Sequence, residues 1–134
     1  MTVQIKEAFD GGPYALTLVV RDLATSAEFY GSKLGLAQIF SDEVSAVFRC
    51  GRTMINLLLA SAATELVEPA SLSNPNAGVG AVYTLVAANI DAVAKELIAG
   101  GITLLNGPID RPWGVRTVSF QDPDGHTWEF ADHS

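Results

Sequence analysis

The sequence predicts an α+β fold of two βαβββ modules, forming a curved mixed sheet around a concave cleft. Three observations predict it. The run Tyr14-Ala15-Leu16-Thr17-Leu18-Val19-Val20-Arg21-Asp22-Leu23 returns, 67 positions later, as Ala81-Val82-Tyr83-Thr84-Leu85-Val86-Ala87-Ala88-Asn89-Ile90. In both copies an alternating run, the mark of a half-buried strand, leads into apolar residues at helical spacing. In both copies that stripe stops at glycine, Gly35 in the first and Gly100-Gly101 in the second.

The elements follow in order. The first strand is Tyr14 to Val20, with Tyr14, Leu16, Leu18 and Val20 on one face and Ala15, Thr17 and Val19 on the other. Asp22 or Thr25 caps a helix whose stripe is Leu23, Ala27, Tyr30 and Leu34. Strands are expected near 36–41, 44–50 and 53–59, with Gly51-Arg52 turning between the last two. Residues 61–79, with Pro69, several Ser and the turn signal Asn74-Pro75-Asn76, read as a linker. The second helix has the stripe Ile90, Val93, Ala94 and Leu97. Strands near 102–105, 115–121 and 127–131 complete the second module, the last two joined by the turn Asp122-Pro123-Asp124-Gly125. The expectation is therefore a single domain over 1–134, with module one at 13–60, a linker at 61–79 and module two at 80–132.

Composition bounds the function. Apolar residues make up 49% of the 134, enough for a core, and charged residues only 17%, which argues against disorder. The formal net charge is −7 and Lys and Arg are not clustered, so a nucleic-acid partner is not expected. No apolar run approaches the length of a membrane span, and the N-terminal residues lack a secretory apolar core. Cys50 is the only cysteine and reads as a buried structural thiol. These features point to a cytoplasmic protein with no membrane partner.

Two motifs then carry a family resemblance: Asp22-Leu23-x-x-Ser26-x-x-Phe29-Tyr30-x-x-x-Leu34-Gly35, and Phe120-x-Asp122-Pro123-Asp124-Gly125-x-x-Trp128-Glu129-Phe130. With the repeat, they resemble the vicinal oxygen chelate superfamily, which includes glyoxalase I, extradiol dioxygenases, and fosfomycin- and bleomycin-resistance proteins. The resemblance spans about residues 13–132. It implies a concave site whose metal ligands, in metal-dependent members, come from strands of both modules. The matching positions are Ala15, Asn56, Val82 and Glu129. An alanine and a valine offer no lone pair. One carboxylate and one amide fall short of the three protein ligands usual in a catalytic metal site. No metal or other cofactor is therefore expected. His126 and His133 read as solvent-exposed.

Other residue types narrow the chemistry. Glu129 lies between Trp128 and Phe130, which should face the helices and leave the carboxylate on the concave side. It would bind a ligand cation, act as a base, or pair with Arg116. Trp113, between Pro112 and Gly114, reads either as a lid that stacks on a planar or cationic ligand, the role the resemblance favours by placing this loop beside the cavity, or as a ring packed over a strand end or in a dimer contact. Phe29 and Tyr30 read as core, and Asp122 and Asp124 as turn formers. No nucleophile–base pair or phosphate-binding glycine loop is present. The expectation is a small organic ligand in a cleft lined by Ala15, Thr17, Asn56, Leu58, Val82, Thr84, Trp113, Arg116 and Glu129, and the resemblance implies a homodimer. The resemblance makes sequestration of a cationic aromatic antibiotic, as in bleomycin-resistance proteins, the first expectation. The alternative is a glyoxalase-like lyase or isomerase, or a dioxygenase. It would use Glu129 as acid–base catalyst with Arg116 steadying an oxyanion, or a divalent metal weakly held by Glu129 and Asn56.

Overall fold

The computed structural model describes residues 5–74 and 76–133. A short helix, α1 (Ile5–Asp10), precedes module one, which runs β1 (Ala15–Val20), α2 (Leu23–Glu28), β2 (Gln38–Ser41), β3 (Ser45–Cys50) and β4 (Thr53–Leu59). Helix α3 (Ala60–Val67) leads toward module two: β5 (Val82–Val86), α4 (Ile90–Ala99), β6 (Leu104–Asp110), β7 (Arg116–Gln121) and β8 (Thr127–Ala131). Each module forms its own four-stranded sheet, in the orders β1-β4-β3-β2 and β5-β8-β7-β6. In both, the first and last strands of the module run parallel and the rest antiparallel.

The repeat extends to the caps. Asp22 accepts the Thr25 N–H at 3.0 Å through Oδ1, and Asn89 accepts the Ala92 N–H at the same distance. Each thereby satisfies one of the orphan donors at its helix start. That amide holds the Asp22 carboxyl below its ordinary range. The helix ends differ. Helix α2 widens into a π-type segment at Phe29–Lys33, whereas α4 closes with Ile102 N–H bonded to Leu97 O and Gly101 N–H to Ile98 O, a Schellman motif. Gly101 has φ +87°, a conformation that glycine adopts without strain.

One core serves both modules. Leu18, Val20, Tyr30, Phe48, Ile55 and Leu57 of the first pack in one cluster with Ile90, Val118, Phe120 and Trp128 of the second. The rings of Tyr30 and Trp128 meet edge to face at 6.3 Å, and those of Phe29 and Phe120 lie 6.1 Å apart. The expected helix stripes are all in this cluster or packed against it.

Three expectations change. The segment read as a linker begins with a helix, because Ala60, Ala62, Ala63, Glu65 and Leu66 are strong helix formers and the first proline comes only at Pro69. Of the expected turn signal, Pro75 lies outside the described residues, and Asn74 Oδ1 accepts the Asn76 N–H at 2.9 Å. Strand β6 runs through Pro108 to Asp110 rather than stopping at 105, with its register shifted between Asn106 and Ile109. It is an edge strand, where a proline without an N–H is tolerated. Tyr14 is 77% exposed and precedes β1, so the inward face of that strand starts at Leu16. Cys50 is half-buried, and burial pushes its thiol pKa up.

Candidate functional site

Opposite the core, each sheet presents an outward face, and one row of residues crosses the middle of each. In module one the paired residues are Thr17 on β1, Asn56 on β4, Val47 on β3 and Phe40 on β2. In module two they are Thr84 on β5, Glu129 on β8, Ser119 on β7 and Asn106 on β6. The two rows begin with the same contact. Asn56 Nδ2 donates to Thr17 Oγ1 at 3.3 Å, and Thr84 Oγ1 donates to Glu129 Oε1 at 2.9 Å. Beyond that contact they diverge. Asn56 looks into a groove of about 310 Å³ lined by Tyr14, Ala15, Phe40, Ser45, Val47 and Met54, all from module one. Glu129 faces Ser119, which is 5% exposed and whose Oγ has no hydrogen-bond partner among the described residues.

The expected lining residues separate into these two faces. Ala15, Thr17, Asn56 and Leu58 belong to the first; Val82, Thr84 and Glu129 belong to the second. Both faces are largely open: Thr17 and Thr84 are exposed, and Val82 is 49% exposed. Trp113 is exposed in the loop between β6 and β7, where the Arg111 guanidinium lies 5.9 Å from its ring centroid.

Arg116 is not on this face. Its guanidinium pairs with Asp91 of α4 at 2.9 Å and with Asp110 at 3.0 Å, on the helix side of the sheet. Its hydrogen bonds to these carboxylates, that to Asp91 first, hold its pKa above the ordinary value. The expectation that Arg116 shares a face with Glu129 and pairs with it is thus corrected. The reason is register. Asp122 and His126 bond to each other across the turn, so Ser119 falls opposite Glu129 and Arg116 falls on the other side. A shift of one residue would have reversed every side chain of β7 relative to Glu129.

Arg111 takes the place expected of Arg116. The loop folds it back over its own sheet through Arg111 N–H to Val115 O at 2.7 Å. Its Nε donates to Thr117 Oγ1 and its Nη2 to Asn106 Oδ1, both at 2.9 Å. Thr117 lies two residues from Ser119 on β7, so this guanidinium sits over the same face as Glu129. Sequence reasoning passed over Arg111 although it begins the Arg111-Pro112-Trp113 run, because only the bulged end of β6 shows that the loop returns over the sheet.

The turn between β7 and β8 also does more than turn. Gly125, at φ +88°, and the bond from its N–H to Asp122 O form the expected reversal. The carboxylates, however, reach into module one. Trp128 Nε1 donates to Tyr30 Oη at 3.0 Å, and Tyr30 donates to Asp122 Oδ2 at 2.7 Å. Asp124 Oδ1 accepts Arg21 N–H at 3.0 Å, and its Oδ2 accepts Ser26 Oγ. His126 Nε2 lies 2.8 Å from Val19 O, so this histidine is a junction residue rather than a free surface group. Burial pushes the Asp122 carboxyl up from its ordinary 3.8, although its hydrogen bonds oppose the shift. Burial and the neighbouring Asp122 carboxylate raise Tyr30.

Comparison with known proteins places this geometry. The family model of the Glyoxalase/Bleomycin resistance protein/Dioxygenase superfamily matches residues 13–130. The chain belongs to this superfamily. A crystal structure of a superfamily protein from Nocardioides superposes with a TM-score of 0.79 at 29% identity, covering 88% of this chain and 80% of that one. A glyoxalase-related enzyme from Fulvimarina pelagi gives 0.74 at 25%, covering 89% and 86%. A virulence protein of Salmonella typhimurium is 25% identical over 121 residues, which is 88% of this chain and 81% of that protein.

Within the superfamily the four metal-ligand positions can be tested on this chain's donors. Ala15 and Val82 supply none. Asn56 and Glu129 supply one amide and one carboxylate, each already bonded to a threonine and together short of the three protein ligands usual in a catalytic metal site. Among the described residues no three His, Cys, Asp or Glu side chains gather as a metal site requires. These residues do not fit a resident metal. No helix among them is long and apolar enough to cross a membrane.

Proposed function

We propose that this superfamily member binds a small organic molecule, without a resident metal, on the outward faces of its two sheets. The observation that carries the reading is the row Thr84–Glu129–Ser119–Asn106, which sets a carboxylate and a buried hydroxyl without a partner among the described residues on one face beside an exposed tryptophan. Buried polar groups without partners are what a bound ligand satisfies. Module one contributes an apolar groove for the ligand's body. Sequestration of a cationic aromatic antibiotic fits this division: Glu129 and the net charge of −7 attract the cation, and Trp113 stacks on the ring.

The two faces belong to separate sheets, and we propose that a homodimer apposes module one of one copy with module two of the other. The exposure of Val82, of Val86 (67%) and of Phe40 (52%) supports a partner over these surfaces. The half-buried free thiol of Cys50 suits a reducing compartment, and we place the protein in the cytoplasm.

A second reading, a glyoxalase-like lyase, isomerase or dioxygenase, is favoured by the similarity to the Fulvimarina pelagi protein, a glyoxalase-related enzyme. Here Glu129 would take or give the proton, with no part for Arg116. A thermal-shift screen of cationic aromatic antibiotics and small carbonyl compounds tests both. Binding predicts a saturable rise in Tm that needs about tenfold more ligand in Glu129→Gln, and consumption of the compound marks the enzyme. A rise in Tm that Glu129→Gln leaves unchanged contradicts the site.

A further inference from the structure

We infer that Arg111 holds a carboxylate of the ligand, so that the molecule bound on the module-two face is amphoteric: cationic toward Glu129 and anionic toward Arg111. This rests on the proposed ligand-binding role and narrows its chemistry. The first argument is preorganisation. Of the five N–H donors of a guanidinium, two are used by Thr117 and Asn106, and three remain without a partner among the described residues. The two bonds fix the plane of the group, and the Trp113 ring centroid stands 5.9 Å from it. An arginine fixed in this way, with donors to spare, matches the two oxygens of a carboxylate at little further cost in entropy.

The second argument is charge separation. Glu129 and Arg111 occupy one face, yet neither takes part in the ion pairs found among the described residues, both of which are made by Arg116. Glu129 is bonded to Thr84 on one side of the row, and Arg111 to Asn106 and Thr117 on the other. Between them stands Ser119, opposite Glu129 and next to Asn106, with its Oγ buried and without a partner among the described residues. A ligand bearing an ammonium and a carboxylate on an aromatic body spans the two charges and gives that hydroxyl a partner. A purely cationic ligand leaves Arg111 unanswered.

Three matched probes read this directly by calorimetric titration: tyramine (ammonium only), 4-hydroxyphenylacetate (carboxylate only) and tyrosine (both). Tyrosine is expected to bind about tenfold or more tightly than tyramine, the scale of a charge-assisted contact. Arg111→Met should erase that advantage and weaken 4-hydroxyphenylacetate while leaving tyramine unchanged. Arg111→Lys, which keeps the charge and loses the fork, should fall between, and it replaces the methionine variant if that one does not fold. Arg116→Lys should change none of the three. The inference is overturned if Arg111→Met leaves tyrosine and 4-hydroxyphenylacetate unaffected, or if neither carboxylate binds. Tyramine binding that depends on Glu129 in such a case would leave the broader ligand-binding role standing. Glu129→Gln should weaken tyramine and tyrosine alike and leave the carboxylate preference in place; tyramine binding unchanged in Glu129→Gln would overturn the cationic half of the inference.

Discussion

Across the first sheet the central row reads Thr17, Asn56, Val47, Phe40; across the second it reads Thr84, Glu129, Ser119, Asn106. The strand order, the parallel pairing of first and last strands and the threonine contact are the same in both. Only the side chains beyond the threonine differ. Amide, valine and phenylalanine make a greasy groove, whereas carboxylate, hydroxyl and amide with an overhanging arginine make a polar shelf. Fold and site thus respond to different residues of the same repeat. The core-facing positions preserve the module, and the outward-facing positions are free to change what it recognises.

The largest expected effect concerns what makes the two modules one body. Tyr30→Phe removes the hydroxyl that joins Trp128 to Asp122, leaving the buried Trp128 Nε1 without that acceptor and Asp122 with only its bonds from the Asp124 and His126 N–H groups, at a cost of roughly 2 kcal/mol. Denaturant unfolding should still give one transition, at a lower midpoint. Two separated transitions would show that the modules fold independently and that the shared core does not couple them.

Next is the pH dependence of the same tie. Because burial raises the folded pKa of Asp122, the folded state holds that proton more tightly than the unfolded chain. Its contribution to stability is complete below the ordinary value of 3.8 and is lost as pH rises through the folded value. Asp22 runs the other way: its lowered pKa stabilises the fold at higher pH and that contribution disappears in acid. The difference in stability between the natural protein and Asp122→Asn, followed by urea titration from pH 3 upward, should therefore shift against the natural protein as pH increases. A difference that is flat with pH would remove the burial argument.

A smaller effect tests the equivalence of the modules. Asn89→Ala loses the cap of α4 and should lower stability by about 1 kcal/mol. Asp22→Ala should destabilise in the same direction, with a response to pH that Asn89→Ala lacks. Smallest in stability, and most telling for the site, are Asn56→Leu and Glu129→Gln. Both should leave the unfolding free energy within about half a kcal/mol of the natural protein's, as outward-facing changes do. Only Glu129→Gln should cost ligand affinity, by about tenfold. Equal losses would mean that the two faces are not chemically distinct in binding.

How far these features were legible depends on what fixes them. The module repeat, the two helix stripes and the cap positions are local patterns, and local patterns can be read from the chain. Helix α3 was hidden by the surrounding serines and prolines, although its own eight residues favour helix. The far end of β6 was hidden because a proline reads as a break unless the strand is known to lie at an edge. Arg116 and Arg111 exchanged roles because the parity of β7 rests on one residue of turn register, which Asp122-Pro123-Asp124-Gly125 alone does not settle. The second use of Asp122 and Asp124, as ties to Tyr30, Arg21 and Ser26, depends on residues roughly a hundred positions away, and no nearby pattern announces it.

The central claim is a ligand site that needs no resident metal. Elemental analysis tests it most directly, on protein purified without chelator and again after dialysis against Mn²⁺, Ni²⁺, Zn²⁺ and Fe²⁺. The account predicts no metal near one equivalent per chain under either condition, and no change in Glu129→Ala. A metal retained near stoichiometry by the natural protein and lost from Glu129→Ala would contradict it.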